Sequence, residues 1–212
     1  MTPEDFAAAA DVPRGTLERL RVYHALLVKW QRAINLVGPR TIDGAWRRHF
    51  LDSAQLWPLV AGRQVLADLG SGAGFPGLVL ALMAAGHDAP LTTHLIESDQ
   101  RKAAFLIEVA RATEARVTVH AERAEAIGTA RLFTADVVTV RALAPVGDLL
   151  GLAHPLLAPD GICLFLKGAA VEDELTRAGE TWTMTVERLP SRSDPSGTIL
   201  RIAGLTQRPG RG

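Results

Sequence analysis

The sequence predicts an α/β fold in which a mostly parallel sheet, covered by helices on both faces, follows a purely helical N-terminal extension. Three observations carry this. From residue 64 onward, five short apolar runs rich in Val, Ile and Leu alternate with longer helical segments. Such alternation builds strand–helix–strand crossovers and hence a parallel sheet. Residues 1–62 show helical periodicity and no strand-like run. After residue 182 two strand-like runs are joined by a turn stretch with no room for a helix, so the sheet should close in an antiparallel pair. The expected organisation is a helical extension over 1–62 and a seven-stranded sheet domain over 63–212.

Taken in order, Thr2 followed by Pro3 predicts an N-cap with proline at the first helical position, and so a short first helix. Leu17, Leu20, Tyr23, Leu27, Trp30 and Ile34 step by three or four, which predicts an amphipathic helix from Thr16 to Ile34. A third helix is expected over Asp43 to Leu59. The parallel strands are expected in "QVLADL", "TTHLIES", "RVTVH", "DVVTVR" and "GICLFLK", with helices near 76–85, 99–114, 145–157 and 169–181. "TMTVERL" and "GTILRIAGL", joined through "PSRSDPSG", supply the antiparallel pair. Phe6, Trp30, Trp46 and Trp57 read as core of the extension rather than as base-stacking platforms.

Composition narrows the function. Hydrophobic residues make up 48% and charged residues 22%, the balance of a globular chain. No apolar run approaches the roughly 18 residues of a membrane span, and the acidic start "MTPEDF" lacks the basic region of a signal peptide. The expectation is a cytoplasmic protein without membrane contact. Cys163 is the only cysteine and lies inside an apolar run, which excludes disulfides and multi-cysteine metal sites. Formal net charge is zero, yet it is unevenly spread. Residues 1–62 hold eight Lys/Arg against six Asp/Glu, residues 63–182 ten against fifteen, and residues 183–212 five against two. The basic excess therefore lies at both ends of the chain. Arginine provides twenty of the 23 basic residues, which suits planar phosphate contacts.

The most informative stretch is "LADLGSGAGFPG", residues 66–77. Asp68 and Leu69 end the first strand; Gly70, Ser71, Gly72, Ala73 and Gly74 form a turn; Phe75-Pro76 begins a helix. Glycine permits positive φ and lets a ligand lie against bare backbone, and open α/β sheets bind ligands at this end of their strands. A P-loop would need a lysine after the glycines, and there is none. Gly72, Gly74 and Gly77 can be set in the register of a dinucleotide fingerprint, which keeps NAD as a rival ligand. Other features favour S-adenosylmethionine. Asp68 stands where a carboxylate can take up the cationic amino group, directly or through water, and would repel a pyrophosphate. Glu97 ends the second strand, placed for both ribose hydroxyls. Ala124 and Glu125 follow the third strand, where backbone and side chain can meet an adenine edge.

In chain order, "INLVG", "RRHFLDSAQL", "DLGSGAGFPGLVLAL", "IESDQRKAAFL", "AERAE", "VTVRALAPV" and "LFLKG" resemble the RsmG (GidB) methyltransferases over nearly the whole chain. The resemblance implies a class I S-adenosylmethionine-dependent methyltransferase fold, Rossmann-like, with a mostly parallel seven-stranded sheet and an antiparallel last strand. It implies S-adenosylmethionine as donor, S-adenosylhomocysteine as product, no metal, and as acceptor the N7 of the guanine at position 527 of 16S rRNA. Gly70, Phe75, Ala124, Glu125 and Arg141 carry over as cofactor-site residues. The partner implied is 16S rRNA or the small ribosomal subunit, met by a monomer.

The chemistry agrees with that acceptor. Guanine N7 offers its own lone pair, so no general base is demanded. An exocyclic amine would call for a polar clamp after the fourth strand, where "RALAPV" stands, and attack through cytosine C5 would need a cysteine nucleophile. Arg141 is the expected catalytic residue, facing donor and guanine; the bland alternative pairs it with Asp136 or Asp148. His49 and Asp52 are expected to form a hydrogen-bonded lid, with Arg47 and Arg48 toward phosphates. Asn35 either caps the preceding helix or lines the same cleft, and Lys167 either touches RNA backbone or is solvated. Two other function classes remain beside the transferase: an NAD-dependent oxidoreductase and a non-catalytic RNA-binding or ribosome-assembly factor.

Overall fold

The computed structural model describes residues 1–141, 144–169 and 171–209. Ala142 and Leu143 of "RALAPV", Ala170 of the expected 169–181 helix, and residues 210–212 lie outside the described residues. Helix α1 (Pro3–Ala10) starts from a capping box, in which the Thr2 hydroxyl accepts from the Asp5 N–H and the Asp5 carboxylate accepts from the Thr2 N–H. Helix α2 (Arg14–Gln31) buries Leu17, Leu20, Tyr23 and Leu27 on one face. It ends three residues before the expected Ile34 because the Gln31 amide turns back on the chain, accepting from the N–H groups of Leu36 and Val37 and donating to the Val37 carbonyl. The expected Asp43–Leu59 helix is broken. A π-helical stretch, Trp46–Leu51, runs into α3 (Asp52–Ala54), and a separate turn, α4 (Trp57–Val60), follows. Wide π turns of this kind are rare and gather at functional sites; this one carries Arg47, Arg48 and His49.

The sheet domain follows as β1 (Val65–Leu69), α5 (Gly77–Gly86), β2 (Thr92–Ile96), α6 (Gln100–Thr113), β3 (Val117–His120), α7 (Ala124–Ala130), β4 (Ala135–Arg141), α8 (Val146–Ala153), β5 (Leu157–Lys167), α9 (Val171–Thr181), β6 (Trp182–Pro190) and β7 (Thr198–Gln207). Two elements depart from expectation. A short helix, α7, forms over Ala124–Ala130, where no helix is expected between the third and fourth strands, since Ile127 and Gly128 find a buried face. Strand β5 begins at Leu157, inside the expected 145–157 helix, which ends with a 3-10 turn at His154–Leu156.

Strand order is β3-β2-β1-β4-β5-β7-β6. Strands β1 to β5 are parallel, and β7 lies antiparallel between β5 and β6. The chain winds outward in both directions from the β1/β4 pair, so the carboxyl ends of those two strands form the switch point where such sheets take ligands. On one face α5, α6 and the N-terminal helices share a core that includes Phe6, Tyr23, Phe50, Phe75 and Phe105. On the other, α8 and α9 pack over Val138, Val140, Cys163 and Phe165. Cys163 is fully buried, which pushes its thiol up to about 12 and leaves it an inert core residue.

Candidate functional site

At the switch point the glycine turn takes the backbone shape its sequence predicts. Gly70, Gly72 and Gly74 have φ of 64°, 54° and 93°, a region glycine enters without penalty. The helix proper begins at Gly77, with Pro76, cis to Phe75, as its N-cap. The turn is stitched on both sides. The Ser71 N–H donates to the Ile96 carbonyl (3.0 Å), and the Gly72 N–H donates to Glu97 Oε2 (2.8 Å). Glu97 Oε1 accepts from the Asp99 N–H (2.8 Å), so two backbone donors hold this carboxylate at the end of β2.

These glycines have different neighbours. A Cβ on Gly74 would stand 2.6 Å from the Tyr23 hydroxyl, and one on Gly77 would stand 2.6 Å from Asp68 Cβ and Leu95 Cδ2. Their bareness makes room for the protein itself. A Cβ on Gly72 meets nothing nearer than the Gly70 carbonyl at 3.7 Å, and Gly70 and Gly72 border a cavity. That cavity is walled by Gly70, Gly72, Ile96, Glu97, Asp99, Lys102, Glu122, Arg123, Ala124, Glu125 and Arg141. Of the expected cofactor residues it brings together Gly70, Gly72, Glu97, Ala124, Glu125 and Arg141.

Asp68, Ser71, Gly74 and Phe75 stand behind that wall. Asp68 is fully buried, accepting from the Thr139 hydroxyl (2.7 Å) and the Gly77 N–H (3.2 Å). Burial pushes its carboxyl up to about 6, against the pull of those hydrogen bonds. The Ser71 hydroxyl donates to the Asp68 carbonyl. The Phe75 ring is stacked between Tyr23 and His49. The Tyr23 hydroxyl donates to the Ala73 carbonyl, so the N-terminal extension grips the glycine turn from below.

A second cavity opens on the other side of Arg141. Thr41, Arg47, Arg48, His49, Asp52, Arg141, Lys167, Ser191, Ser193 and Asp194 are among its lining residues, four cations against two acids. Arg141 belongs to both walls and is tightly set. Its Nη1 donates to His49 Nδ1 (2.7 Å), its guanidinium lies 5.1 Å over the Phe75 ring, and Asp52 Oδ2 is 3.9 Å away. Asp52, and neither Asp136 nor Asp148, is its acidic neighbour; Asp136 sits at the opposite end of β4, accepting from the N–H groups of Gln64 and Val65.

His49 and Asp52 share this wall but do not bond each other. Since Arg141 donates to His49 Nδ1, the ring proton sits on Nε2 and is donated to the Thr41 hydroxyl (2.9 Å). Burial and the nearby Arg141 and Arg48 charges push His49 down to about 3, so the ring stays neutral. Asp52 is held by residues that give no local signal in the sequence. Its Oδ1 accepts from the Ser193 hydroxyl and from Gln55 Nε2 (2.9 Å). Ser193 belongs to the β6–β7 loop, and Arg47 donates to its carbonyl (3.0 Å). Lys167 donates to the Ala144 carbonyl (2.8 Å) and pairs with Glu174 (2.7 Å), so neither expected role describes it fully. Asn35 is exposed and is no part of either wall; Gln31 does the capping expected of it. Among the described residues no group of three or more His, Cys, Asp or Glu is arranged to hold a metal ion.

A parallel sheet with an antiparallel penultimate strand, and a glycine turn opening on a cavity at its switch point, define the class: this is the Rossmann-like fold of the S-adenosylmethionine-dependent methyltransferases. Solved structures agree on the fold. The M. jannaschii TYW2 in complex with AdoMet is 13% identical, with a TM-score of 0.58 over 84% of this chain and 80% of that one. The Methanococcus jannaschii fibrillarin pre-rRNA processing protein is 13% identical, with a TM-score of 0.54 over 72% of this chain and 75% of that one. The chain belongs to the GidB family, rRNA small subunit methyltransferase G, whose model matches residues 16–195. Proteins of that name from Rhodospirillum centenum and Paramagnetospirillum magneticum are 57% and 55% identical, covering 96% and 98% of this chain and 91% and 98% of their own.

Proposed function

We propose that this protein transfers the methyl group of S-adenosylmethionine to the N7 of the guanine at position 527 of 16S rRNA, releasing S-adenosylhomocysteine. The observation that carries the reading is Arg141 standing in the shared wall of two cavities of different character. The first suits the donor. Bare backbone at Gly70 and Gly72 admits a close-lying ligand, and Glu97 keeps lone pairs for ribose hydroxyls beyond the two backbone bonds it already accepts. Glu97, Asp99, Glu122 and Glu125 outnumber Lys102, Arg123 and Arg141, which favours a ligand with a cationic amino group over a diphosphate. Asp68 acts from behind, fixing the turn through Gly77. The second cavity, with Arg47, Arg48, Arg141 and Lys167, suits an RNA strand.

When bound, S-adenosylmethionine supplies an electrophilic methyl group on sulfur. The residues around it have to position and shield rather than move protons, because guanine N7 attacks with its own lone pair. His49 fits that account, since its Nδ1 lone pair is taken by Arg141 and its Nε2 proton by Thr41. Arg141, clamped over Phe75, donates to guanine O6 and so orients the base. A target presented in a loop can be splayed out to reach it. The described lining of both cavities comes from one chain, which supports a monomer, and an rRNA substrate supports a cytoplasmic enzyme. Among the described residues no helix is long and apolar enough to cross a membrane.

The test is incubation with labelled donor and small-subunit particles from a strain lacking the gene, followed by mapping of the modified nucleotide. Label at N7 of that guanine is expected, and Arg141→Ala should abolish it while retaining the fold. Label elsewhere, no label, or full activity in Arg141→Ala would refute the assignment.

A further inference from the structure

Guanine and adenine present the same N7, so an enzyme that attacks through N7 must choose between them at other atoms. Guanine offers an acceptor, O6, beside the N1–H and N2–H donors; adenine offers an amino donor beside the N1 lone pair. A guanine reader therefore needs a donor next to an acceptor. The second cavity has this pair in Arg141 and Asp52. Their closest atoms, Arg141 Nη1 and Asp52 Oδ2, are 3.9 Å apart, too far for a hydrogen bond. Nη1 donates to His49 Nδ1 and the Arg48 carbonyl, and Nη2 and Nε, which have no protein acceptor among the described residues, supply the donor. Asp52 Oδ1 is committed to Ser193 and Gln55, whereas Oδ2 accepts no hydrogen bond among the described residues. The carboxylate cannot simply turn. Gln55 Oε1 accepts from the Arg192 N–H (2.7 Å), which fixes the amide so that its Nε2 faces Asp52.

We propose that Asp52 determines the choice of base: its Oδ2 accepts from the N1–H and N2–H edge of the target guanine while Arg141 donates to O6. This rests on the N7 methyl transfer proposed above. Adenine in the same pose would set its amino group against the Arg141 donors and its N1 lone pair against the carboxylate. Both contacts would be repulsive, and sites that leave buried polar groups mismatched reject the wrong ligand strongly.

The experiment uses small-subunit RNA, prepared by ligation, with guanine, inosine or 2-aminopurine at the target position, methylated by the full-length enzyme and by Asp52→Asn. The Asn variant is informative because Ser193 and Gln55 donate at the Oδ1 position. The amide oxygen stays there, and the NH2 group takes the place of Oδ2. A donor then faces N1, which opposes guanine and suits 2-aminopurine, whose N1 is an acceptor. Asp52→Asn is expected to lower kcat/KM on guanine about tenfold to a hundredfold, and to raise the 2-aminopurine to guanine ratio at least tenfold. For the wild type, inosine should lose about tenfold. Ser193→Ala, which removes one of the donors that hold Oδ1 and leaves Gln55 in place, should shift the ratio the same way by a smaller factor. Calorimetric titration with S-adenosylmethionine checks that both variants retain the donor site. If activity falls equally on all three bases, Asp52 is only structural and the inference is overturned. If the wild type leaves guanine unmethylated, the underlying reading fails with it.

Discussion

Replacing Gly74 by alanine would drive a methyl group into the place where the N-terminal extension grips the glycine turn. Two costs are separable. At φ 93° an L-residue is strained by about 1–2 kcal/mol. The new Cβ would also lie 2.6 Å from the Tyr23 hydroxyl and 3.1 Å from Leu106 and Leu78, overpacking worth about 1–3 kcal/mol. Tyr23→Phe has its own cost, because it orphans the buried Ala73 carbonyl, at about 1–3 kcal/mol. The two changes are coupled, since the hydroxyl removed by the second is the atom struck by the first. The double variant should therefore be more stable than the sum of the single effects by about 1 kcal/mol or more. Urea denaturation of the four proteins measures this, with thermal unfolding as a second probe at about 2–4 °C per kcal/mol for a chain of this size. Additivity within about 0.5 kcal/mol would show that Tyr23 and Gly74 do not meet as described, and that the extension does not brace the turn through this contact.

Three more outcomes are expected. Thr93 is fully buried in β2 and its hydroxyl has no partner among the described residues, so Thr93→Val should stabilise by about 1 kcal/mol, and a lower denaturation midpoint would contradict the account. Glu97→Gln must set an amide NH2 against the N–H of either Gly72 or Asp99, so its donor affinity by calorimetry should fall at least tenfold, whereas an unchanged affinity would remove Glu97 from the site. Asp68 and His49 have opposite effects on stability between pH 4 and 6. The folded Asp68 carboxyl at about 6 lies above its ordinary 3.8, so its contribution is present at low pH and lost as pH rises through 6. Folded His49 at about 3 lies below 6.5, so its contribution is present above 6.5 and lost as pH falls. Asp68→Asn, which can still bridge Thr139 and Gly77, should steepen the loss of stability on acidification across that window, and His49→Gln should flatten it; parallel urea-midpoint profiles for the three proteins would refute the pairing.

What could be read in advance followed from short-range rules. Strand runs, helical stripes and the Thr2 cap depend on residues a few places apart, and most appear where their pattern stands, the broken 43–59 helix and the early start of β5 excepted. Helix ends and the π turn were less legible because side chains decided them, as Gln31 does in ending α2. The glycine turn shows a subtler limit. One residue type answers two needs, since Gly70 and Gly72 border an open cavity whereas Gly74 and Gly77 clear space for Tyr23, Asp68 and Leu95. Composition cannot tell these apart; only the neighbour can.

The wall around Arg141 carries the same lesson over a longer range. His49 and Asp52 were visible as candidates because they lie close together in one helical stretch, and geometry suggested that they bond each other. Each instead bonds outward, His49 to Thr41 and Arg141, and Asp52 to Gln55 and a serine 141 residues away. Those outward bonds are what leave one Asp52 oxygen facing the cavity beside the guanidinium. Had the two bonded each other, the carboxylate would have been spent on the imidazole and would have had less to offer a base. The β6–β7 loop, which looks in the sequence like a mere connection, thus fixes the acceptor half of the proposed guanine reader, and its serines are the place to look when base selectivity changes without loss of donor binding.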